Sequence, residues 1–551
     1  MSIHNNVLNR RQFVSSAVAA CGLVSLAGCG KKGDPSGGTA DNNGVFRMHI
    51  GNPVSIDPYN ISESEGAQVA YQLFDGLTRY NYEENKLEPL ACESWDVNDD
   101  STEFTFHLRE GAKFHDGTPV TSHDFKRAWN RIVDVNTRPG APSEVSYHLS
   151  LVEGYNEDGN TTDLTGVTCP DDMTLVVKLK HSYSDFAYVV AHSTLVPVPA
   201  CSVEDPDSFF KAPVGNGPFM MDGEWEDGQY INLKRFDDYY GEPAKINGVT
   251  YTILKDVETA YREFEAGNLD YVDLPQAQIV TAKEQYGESE DGYHAVPSQQ
   301  ALFGVEDSVY YLLCNCQDGP TADPEVRKAI SLAINREAIS ETLYHGARVP
   351  AGNLITPGID GYKENDWEYA TYDPEKAEAI LDAAGYTKDE NGSRGLNVTV
   401  TYNGDGGHGE IMASVMGDLN AIGIESTAST PEFAAMIEQY GEGDYELGRF
   451  GWIPDYPIVE NFLYPLFYSK SADNRCGYNR PDIDEAMQAA RRIIDTDERI
   501  AAWQEINRQI AQGCPVVPIV YYCHSAIVSD AVKHLYSDPM KMLHADTIEL
   551  V

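Results

Sequence analysis

Two oppositely charged residues, Arg449 and Asp455, lie six positions apart and flank an apolar run that contains Trp452. A guanidinium binds a carboxylate through two parallel hydrogen bonds, and a carboxylate accepts an ammonium group. Six residues span at most about 20 Å, which is enough to reach both ends of a short extended ligand at about 3.3 Å per residue. The spacing permits a zwitterion site without requiring it, because the same pair could be solvated on the surface. Trp452 could wall such a site or pack in the core.

A second candidate residue, His408, lies in a glycine-rich loop between a predicted strand, Leu396 to Tyr402, and a helical run that follows Glu410. The free N–H groups and the dipole of a helix N-terminus favour an anion at that position. An ordinary exposed loop histidine is the alternative.

The same loop also spells G-x-G-x-x-G at Gly404, Gly406 and Gly409, with Glu425 further on. This pattern is typical of dinucleotide-binding enzymes, although one fingerprint is a weak signal. An exported oxidoreductase is therefore the rival hypothesis, and saturable binding of NAD would favour it.

The N-terminal segment predicts export. Arg10 and Arg11 precede an apolar stretch from Phe13 to Gly28 that is too short to span a bilayer and ends in Leu-Ala-Gly before Cys29. We expect residues 1–28 to be a signal peptide and Cys29 to be the lipidated first residue of the mature protein. Residues 29–44 then form a flexible tether on the outer face of the cell membrane. The two arginines fit both general secretion and the twin-arginine route, and the sequence leaves that choice open.

The composition limits the partners. Of the 551 residues, 40 are Lys or Arg and 86 are Asp or Glu, so the formal charge is −46. A surface of this charge repels phosphate backbones, which excludes nucleic acid as a partner. Without Cys21 and Cys29 eight cysteines remain, and their spacing selects no disulfide pairing and no metal site. No common nucleotide, metalloprotease or hydrolase motif occurs, so we expect no catalysis and no cofactor.

Strand and helix signals alternate along the chain. Phe104, Phe106 and Leu108 follow the period of a half-buried strand, and Thr121 is a candidate N-cap for an amphipathic helix. Asp323-Pro324 and Asp373-Pro374 each resemble a helix start, and Gly385 marks the end of the second helix. Long helices with mixed strands and no internal repeat predict an α/β protein of two or three lobes.

Six separated motifs resemble the extracellular solute-binding proteins of family 5, the oligopeptide- and dipeptide-binding components of ABC importers. They lie in family order at Ile56–Pro58, Leu73–Leu77, Leu108–Gly111, Phe114–Thr121, Gly215–Phe219 and Val326–Ile330. The segment from Gly451 to Tyr456 is similar to that family's Gly-Trp-x-Ala-Asp-Tyr signature, with Pro454 in place of Ala. The resemblance implies that Asp455 receives the α-ammonium of a peptide and that Arg449 and His408 serve its carboxylate.

The resemblance also implies the type II periplasmic-binding architecture, in which two lobes close over the ligand about a hinge and an extra domain packs on lobe I. We expect lobe I to comprise residues 45–85, 206–309 and 522–551, the extra domain residues 86–205, and lobe II residues 310–521. The implied partners are a short peptide and the permease and ATPase subunits of an importer, and we expect a monomer. The same fold carries nickel complexes or sugars in some relatives, so a non-peptide solute remains an alternative.

Overall fold

The computed structural model describes residues 43–138, 143–156, 161–404 and 407–551. The predicted signal peptide, Cys29 and all but the last two residues of the predicted tether lie outside the described residues, as do Asp405 and Gly406 of the glycine-rich loop. Among the described helices, none has both the length and the apolar character that crossing a membrane requires.

The strands follow one another from Val45 to Leu550. In chain order they are β1 (Val45–Ile50), β2 (Thr78–Asn81), β3 (Lys86–Pro89), β4 (Cys92–Val97), β5 (Glu103–Leu108), β6 (Val167–Asp171), β7 (Thr174–Lys178), β8 (Phe219–Met221), β9 (Tyr230–Arg235), β10 (Gly248–Ile253), β11 (Tyr271–Asp273), β12 (His294–Ala295), β13 (Ala301–Leu302), β14 (Val305–Cys314), β15 (Val349–Pro350), β16 (Leu396–Thr401), β17 (Ile424–Ser429), β18 (Leu447–Trp452), β19 (Val516–Cys523), β20 (Ala526–Val528), β21 (Val532–Tyr536) and β22 (Glu549–Leu550).

The helices lie between these strands. In chain order they are α1 (Ser64–Leu73), α2 (Ser122–Val133), α3 (Phe186–Val189), α4 (Cys201–Glu204), α5 (Pro206–Lys211), α6 (Val257–Glu265), α7 (Ile279–Tyr286), α8 (Pro324–Ala333), α9 (Arg336–Tyr344), α10 (Pro374–Ala383), α11 (Gly409–Ala421), α12 (Phe433–Glu442), α13 (Val459–Phe467), α14 (Pro481–Ala490) and α15 (Thr496–Gly513).

Three larger sheets organise the described chain. The first sheet has the strand order β13-β20-β11-β1-β10-β9-β8, and the second has the order β15-β19-β14-β18-β16-β17. A third, four-stranded sheet has the order β4-β5-β7-β6 and shares one hydrophobic core with the first sheet. The division of the chain into the two lobes and extra domain given above stays a prediction.

Several local sequence signals act as predicted. Helix α2 begins after Thr121, whose backbone N–H donates to Asp124 Oδ2 at 2.7 Å, and its apolar face is buried. Helices α8 and α10 begin at the prolines that follow Asp323 and Asp373, and each aspartate side chain accepts a backbone N–H of the first turn. Helix α10 ends at Ala383, two residues before Gly385.

The second sheet is covered on both faces, which explains the continuous apolar run in β14. Tyr310, Leu312 and Cys314 belong to one hydrophobic cluster, and Val309 and Tyr311 belong to the cluster on the opposite face. A strand that is buried on both sides has no polar face to expose, so its sequence does not alternate.

Two short connections carry the chain between the first and second sheets. Only two residues separate β13 from β14, and two separate β19 from β20. The connections are bonded to each other, since the His524 backbone N–H donates to the Gly304 carbonyl at 2.8 Å. The strand ends beside these connections are therefore the place where the two sheets meet.

Candidate functional site

Strand β18 positions both Arg449 and Trp452, and it places them on opposite faces of the second sheet. Arg449 is paired with Leu312 of β14, and Trp452 is paired with Val309. Side chains alternate along a strand, so Arg449 lies on the side of Tyr310 and Leu312, while Trp452 packs against the cluster on the other side. Trp452 Nε1 donates to the Asn461 carbonyl at 2.8 Å, an arrangement that fits the packing explanation the sequence left open.

The guanidinium of Arg449 lies among aromatic rings, and it has no acidic partner among the residues that the structure describes. Its Nη2 donates to the Tyr522 hydroxyl at 3.2 Å, and its carbon lies 5.2 Å from the centre of the Tyr310 ring. Its buried Nε has no hydrogen-bond partner, and no carboxylate of the described chain lies within 4.0 Å of the group. A half-buried cation without a counterion favours an incoming anion, because pairing offsets part of its desolvation.

His408 lies beside the same aromatic ring. It is the residue immediately before α11, and its ring centre is 5.6 Å from that of Tyr310. The structure therefore brings Arg449 and His408 together around Tyr310, and it adds the N-terminus of a helix of 13 residues to the same place. We refer to Arg449, His408, Tyr310 and Tyr522 as the cationic end of the site.

A residue that the sequence analysis did not single out, Arg348, adjoins the cationic end. Its guanidinium carbon lies 4.6 Å from the centre of the Tyr522 ring and 4.1 Å from that of Tyr344. Arg348 likewise has no carboxylate within 4.0 Å among the described residues. No local motif marks it, since it follows α9 and reaches the site only through the packing of β15 on β19.

Asp455 lies in a different environment, in the loop between β18 and α13. Its Oδ1 accepts the Tyr147 hydroxyl at 3.1 Å, and its backbone N–H donates to Asn461 Oδ1 at 2.9 Å. No lysine or arginine of the described chain lies within 4.0 Å of its carboxylate. The imidazoles of His148 and His192 lie beside it, and burial lowers the pKa of each to about 3, so both are neutral near pH 7.

The surroundings of Asp455 come from the segment that carries the third sheet. Tyr147 and His148 belong to a single 3₁₀ turn (Ser146–Leu149), and His192 follows α3. Sequence reasoning missed these three residues because they lie about 260 to 310 positions from Asp455. Asp455 is thus an acidic group at the contact between two distant parts of the chain.

In the described part of the chain, the end of β18 between Arg449 and the loop of Asp455 has an unpaired backbone edge. The ladder between β16 and β18 ends at Gly448, whereas the ladder between β14 and β18 continues to Trp452. From Arg449 onward, β18 therefore pairs with a strand on one side only, as far as the described residues show. The Arg449 carbonyl on the open side accepts the Tyr440 hydroxyl at 3.1 Å, and the backbone of Gly451 faces the same way because orientation repeats every second residue.

A cavity of about 190 Å³ lies where the two sheets meet. Residues at the end of β1, the start of β14 and the segment Pro539–Leu543 line it, together with the exposed side chain of Ile453. Arg449, His408, Trp452 and Asp455 are not among its lining residues. Ligand pockets usually measure about 300 to 1,000 Å³, so this cavity is smaller than a typical ligand pocket.

The glycine-rich loop has the chain order that the rival hypothesis requires. β16 leads through the loop into α11 and on to β17, which pairs with β16 in parallel, and Glu425 lies in β17. Seven residues separate β16 from α11. Glu425 Oε1 accepts the Ser393 hydroxyl at 2.8 Å on the outer strand of the sheet.

Comparisons with known proteins cover nearly the whole chain. The family model described as bacterial extracellular solute-binding proteins, family 5 middle, matches residues 86–474. The periplasmic oligopeptide-binding protein OppA of Escherichia coli is 28% identical over 562 residues and 99% of both chains. The dipeptide-binding protein DppE of Bacillus subtilis is 26% identical over 542 residues, which cover 95% of this chain and 96% of that one.

A solved structure extends the likeness to three dimensions. The crystal structure of Haemophilus influenzae OppA in complex with RPPGFSPFR gives a TM-score of 0.71 at 27% identity, over 93% of this chain and 99% of the other. The predicted α/β architecture of the type II periplasmic-binding class is confirmed by this likeness. The relatives are named for the substrates they bind and not for a catalysed reaction.

Proposed function

This chain belongs to family 5 of the bacterial extracellular solute-binding proteins, and from that premise we propose that it captures short peptides for an ABC importer. A free peptide is a zwitterion, and burying it requires an opposite charge at each end. The observation that carries the proposal is the pair of unmatched charges, Arg449 and Asp455, each without a counterion in the described structure. The carboxylate of the peptide binds at the cationic end, and its ammonium binds Asp455.

The open edge of β18 supplies the contacts in between. An extended peptide beside this edge can exchange main-chain hydrogen bonds with it, as in strand addition to a sheet. Such bonds are the same for every side chain, so they give affinity without sequence preference.

The proposal extends to the location and partners of the protein. Lipid on Cys29 holds the mature chain at the outer face of the cell membrane, and the ligand-loaded form docks on the permease. The relatives with matching sequences are named as periplasmic or peptide-binding proteins, which supports this arrangement. Transport energy comes from ATPase subunits of the importer and not from this chain.

Isothermal titration with capped peptides tests the function. Peptides of two to five residues are titrated in free, N-acetylated and C-amidated forms. We expect each cap to weaken binding by about 2 to 5 kcal/mol, which is roughly 30-fold or more, because it leaves one buried charge of the protein unpaired. Equal affinity for free and capped peptides, or binding of a sugar or nickel chelate with no binding of any peptide, would contradict the proposal.

A further inference from the structure

The imidazoles of His148 and His192 and the carboxylate of Asp455 converge on one point. Each side chain offers one ligand atom, and the three atoms all lie within 4.8 Å of one another. The two imidazole ring centres are 4.2 Å apart. We propose that these three residues form a binding site for a divalent transition metal ion of the Zn²⁺ type.

The strongest evidence is an unsatisfied buried nitrogen. The side chain of His148 is 5% exposed, and its Nε2 has no hydrogen-bond partner among the described residues. Leaving a buried polar atom without a partner carries a desolvation penalty that no hydrogen bond offsets. A metal ion at this nitrogen removes the penalty, since coordination replaces the missing hydrogen bond.

The other two ligands are oriented by residues behind them. His192 Nδ1 lies 2.9 Å from Thr194 Oγ1 and accepts the Thr194 backbone N–H at 3.3 Å, so these contacts hold the ring through Nδ1 and leave Nε2 as the nitrogen for the ion. The Tyr147 hydroxyl donates to Asp455 Oδ1 and leaves Oδ2 free. Metal sites in proteins commonly use such hydrogen bonds to fix the ring and carboxylate that bind the ion.

The chemistry of the ligand set selects the metal. Two imidazoles and one carboxylate suit Zn²⁺, Ni²⁺ or Cu²⁺, whereas Mg²⁺ and Ca²⁺ prefer oxygen ligands. With bonds of about 2.1 Å, the ligand atoms of a tetrahedral ion lie about 3.4 Å apart. The three ligand atoms, which lie within 4.8 Å of one another, must therefore approach by about an ångström to bind the ion. Three protein ligands leave one position open for water or for a donor atom of the solute.

The proposed metal site and the proposed peptide site both use Asp455, but the metal site does not depend on peptide binding. A metal ion on Asp455 would occupy the place of the peptide ammonium, or would bind the free amine through its open position. Zinc binding is therefore measured without peptide, and peptide binding is measured on protein treated with chelator. Each result then stands or fails separately.

Equilibrium dialysis of tag-free protein against Zn²⁺, with Mg²⁺ in a parallel cell, tests the site. We expect one Zn²⁺ per chain, loss of at least 100-fold in affinity in both His192→Gln and Asp455→Asn, and no stoichiometric Mg²⁺. The matched control is His107→Gln, which alters an exposed His–Asp pair at 2.9 Å and should bind Zn²⁺ normally. Absence of stoichiometric binding, or equal affinity in the native protein and His192→Gln, overturns the proposal.

Cobalt substitution separates this site from the cysteines. Co²⁺ bound by nitrogen and oxygen gives visible d–d bands without a thiolate charge-transfer band. We expect that spectrum in the native protein and its loss in His192→Gln. A thiolate band would assign the metal to cysteine and overturn the proposal. Circular dichroism of each variant checks that loss of metal does not reflect unfolding.

Discussion

Arg499 of α15 and Asp185, which precedes α3, form a buried ion pair with two hydrogen bonds, from Nε at 2.9 Å and from Nη2 at 2.7 Å. Both residues are about 5% exposed. The pair joins the segment of the third sheet to a helix that packs beside the second sheet, so it is a fixed connection between the parts that surround Asp455. Removal of one partner leaves a buried charge uncompensated.

We expect Arg499→Gln to lower the free energy of unfolding by about 3 to 5 kcal/mol, measured by urea denaturation. The double replacement Asp185→Leu with Arg499→Met should recover most of that loss, because no buried charge remains. The exposed pair Arg480–Asp482 serves as control, and Arg480→Gln should change the unfolding free energy by less than 1 kcal/mol. A double variant as unstable as the single one would contradict this prediction.

A variant at each charged end of the site should make the peptide affinity insensitive to one of the two peptide caps. Asp455→Asn should weaken binding of a free peptide by about 2 to 5 kcal/mol and leave little difference between free and N-acetylated peptides. Arg449→Gln should do the same for C-amidation. Asp482→Asn, at an exposed site, is the matched control for the acidic change. If Asp455→Asn abolished the response to C-amidation instead, the assigned peptide direction would be reversed.

Arg348 should contribute to carboxylate binding although no motif marks it. Two unit charges about 8 to 12 Å apart attract by about 1 to 2 kcal/mol at an effective dielectric constant of 20. We therefore expect Arg348→Gln to weaken the binding of a free peptide by that amount in calorimetry. The affinity for a C-amidated peptide should stay unchanged. The exposed Arg492 provides the control, Arg492→Gln. A loss equal for both peptide forms would mean that Arg348 acts through packing on Tyr522.

Asp307 should make stability depend on pH. This residue of β14 is 1% exposed, and burial raises the pKa of its carboxyl to about 7, although the Thr356 hydroxyl donates to Oδ1 at 2.9 Å. Asp538 and Glu306 raise it further. The folded state therefore binds more protons than the unfolded state between about pH 4 and 7, so the free energy of unfolding falls as the pH rises through that window.

The variant Asp307→Asn keeps the neutral form at every pH. We expect it to be more stable than the native protein at pH 8 by on the order of 4 kcal/mol, with the difference shrinking toward pH 4. Urea unfolding at four pH values between 4 and 8 measures the difference. A difference that does not change with pH would show that Asp307 is ionised throughout.

Cys29 should decide whether the protein stays with the membrane. A diacylated N-terminal cysteine provides two acyl chains, which is enough for stable anchoring. We expect the native protein in the membrane fraction of its cells and Cys29→Ala in the soluble extracytoplasmic fraction, assayed by immunoblot. Mass spectrometry of the mature N-terminus identifies the lipid. Cys92→Ala, at a buried position far from the signal, is the control, and its release into the soluble fraction would argue against the lipid anchor.

Much of the fold could be predicted because the relevant signals are local. The N-cap at Thr121, the Asp-Pro helix starts and the alternation of Phe104, Phe106 and Leu108 depend on neighbours within a few residues. Such signals act through backbone hydrogen bonds and one-sided burial, which a short stretch of sequence fully specifies. The end of α10 was predicted by the same kind of signal, since Ala384 caps the helix and Gly385 follows with a positive φ of 94°.

The candidate site could be predicted only in part, for the same reason. The charges of Arg449 and Asp455 and their six-residue spacing belong to one short segment, so the sequence alone determined that a cation and an anion lie close together along the chain. Only the tertiary structure placed Arg348 and Tyr522 beside Arg449 and set His148 and His192 against Asp455. These contacts join residues separated by about 70 to 310 positions. They arise from the packing of sheets and helices, which no local propensity encodes.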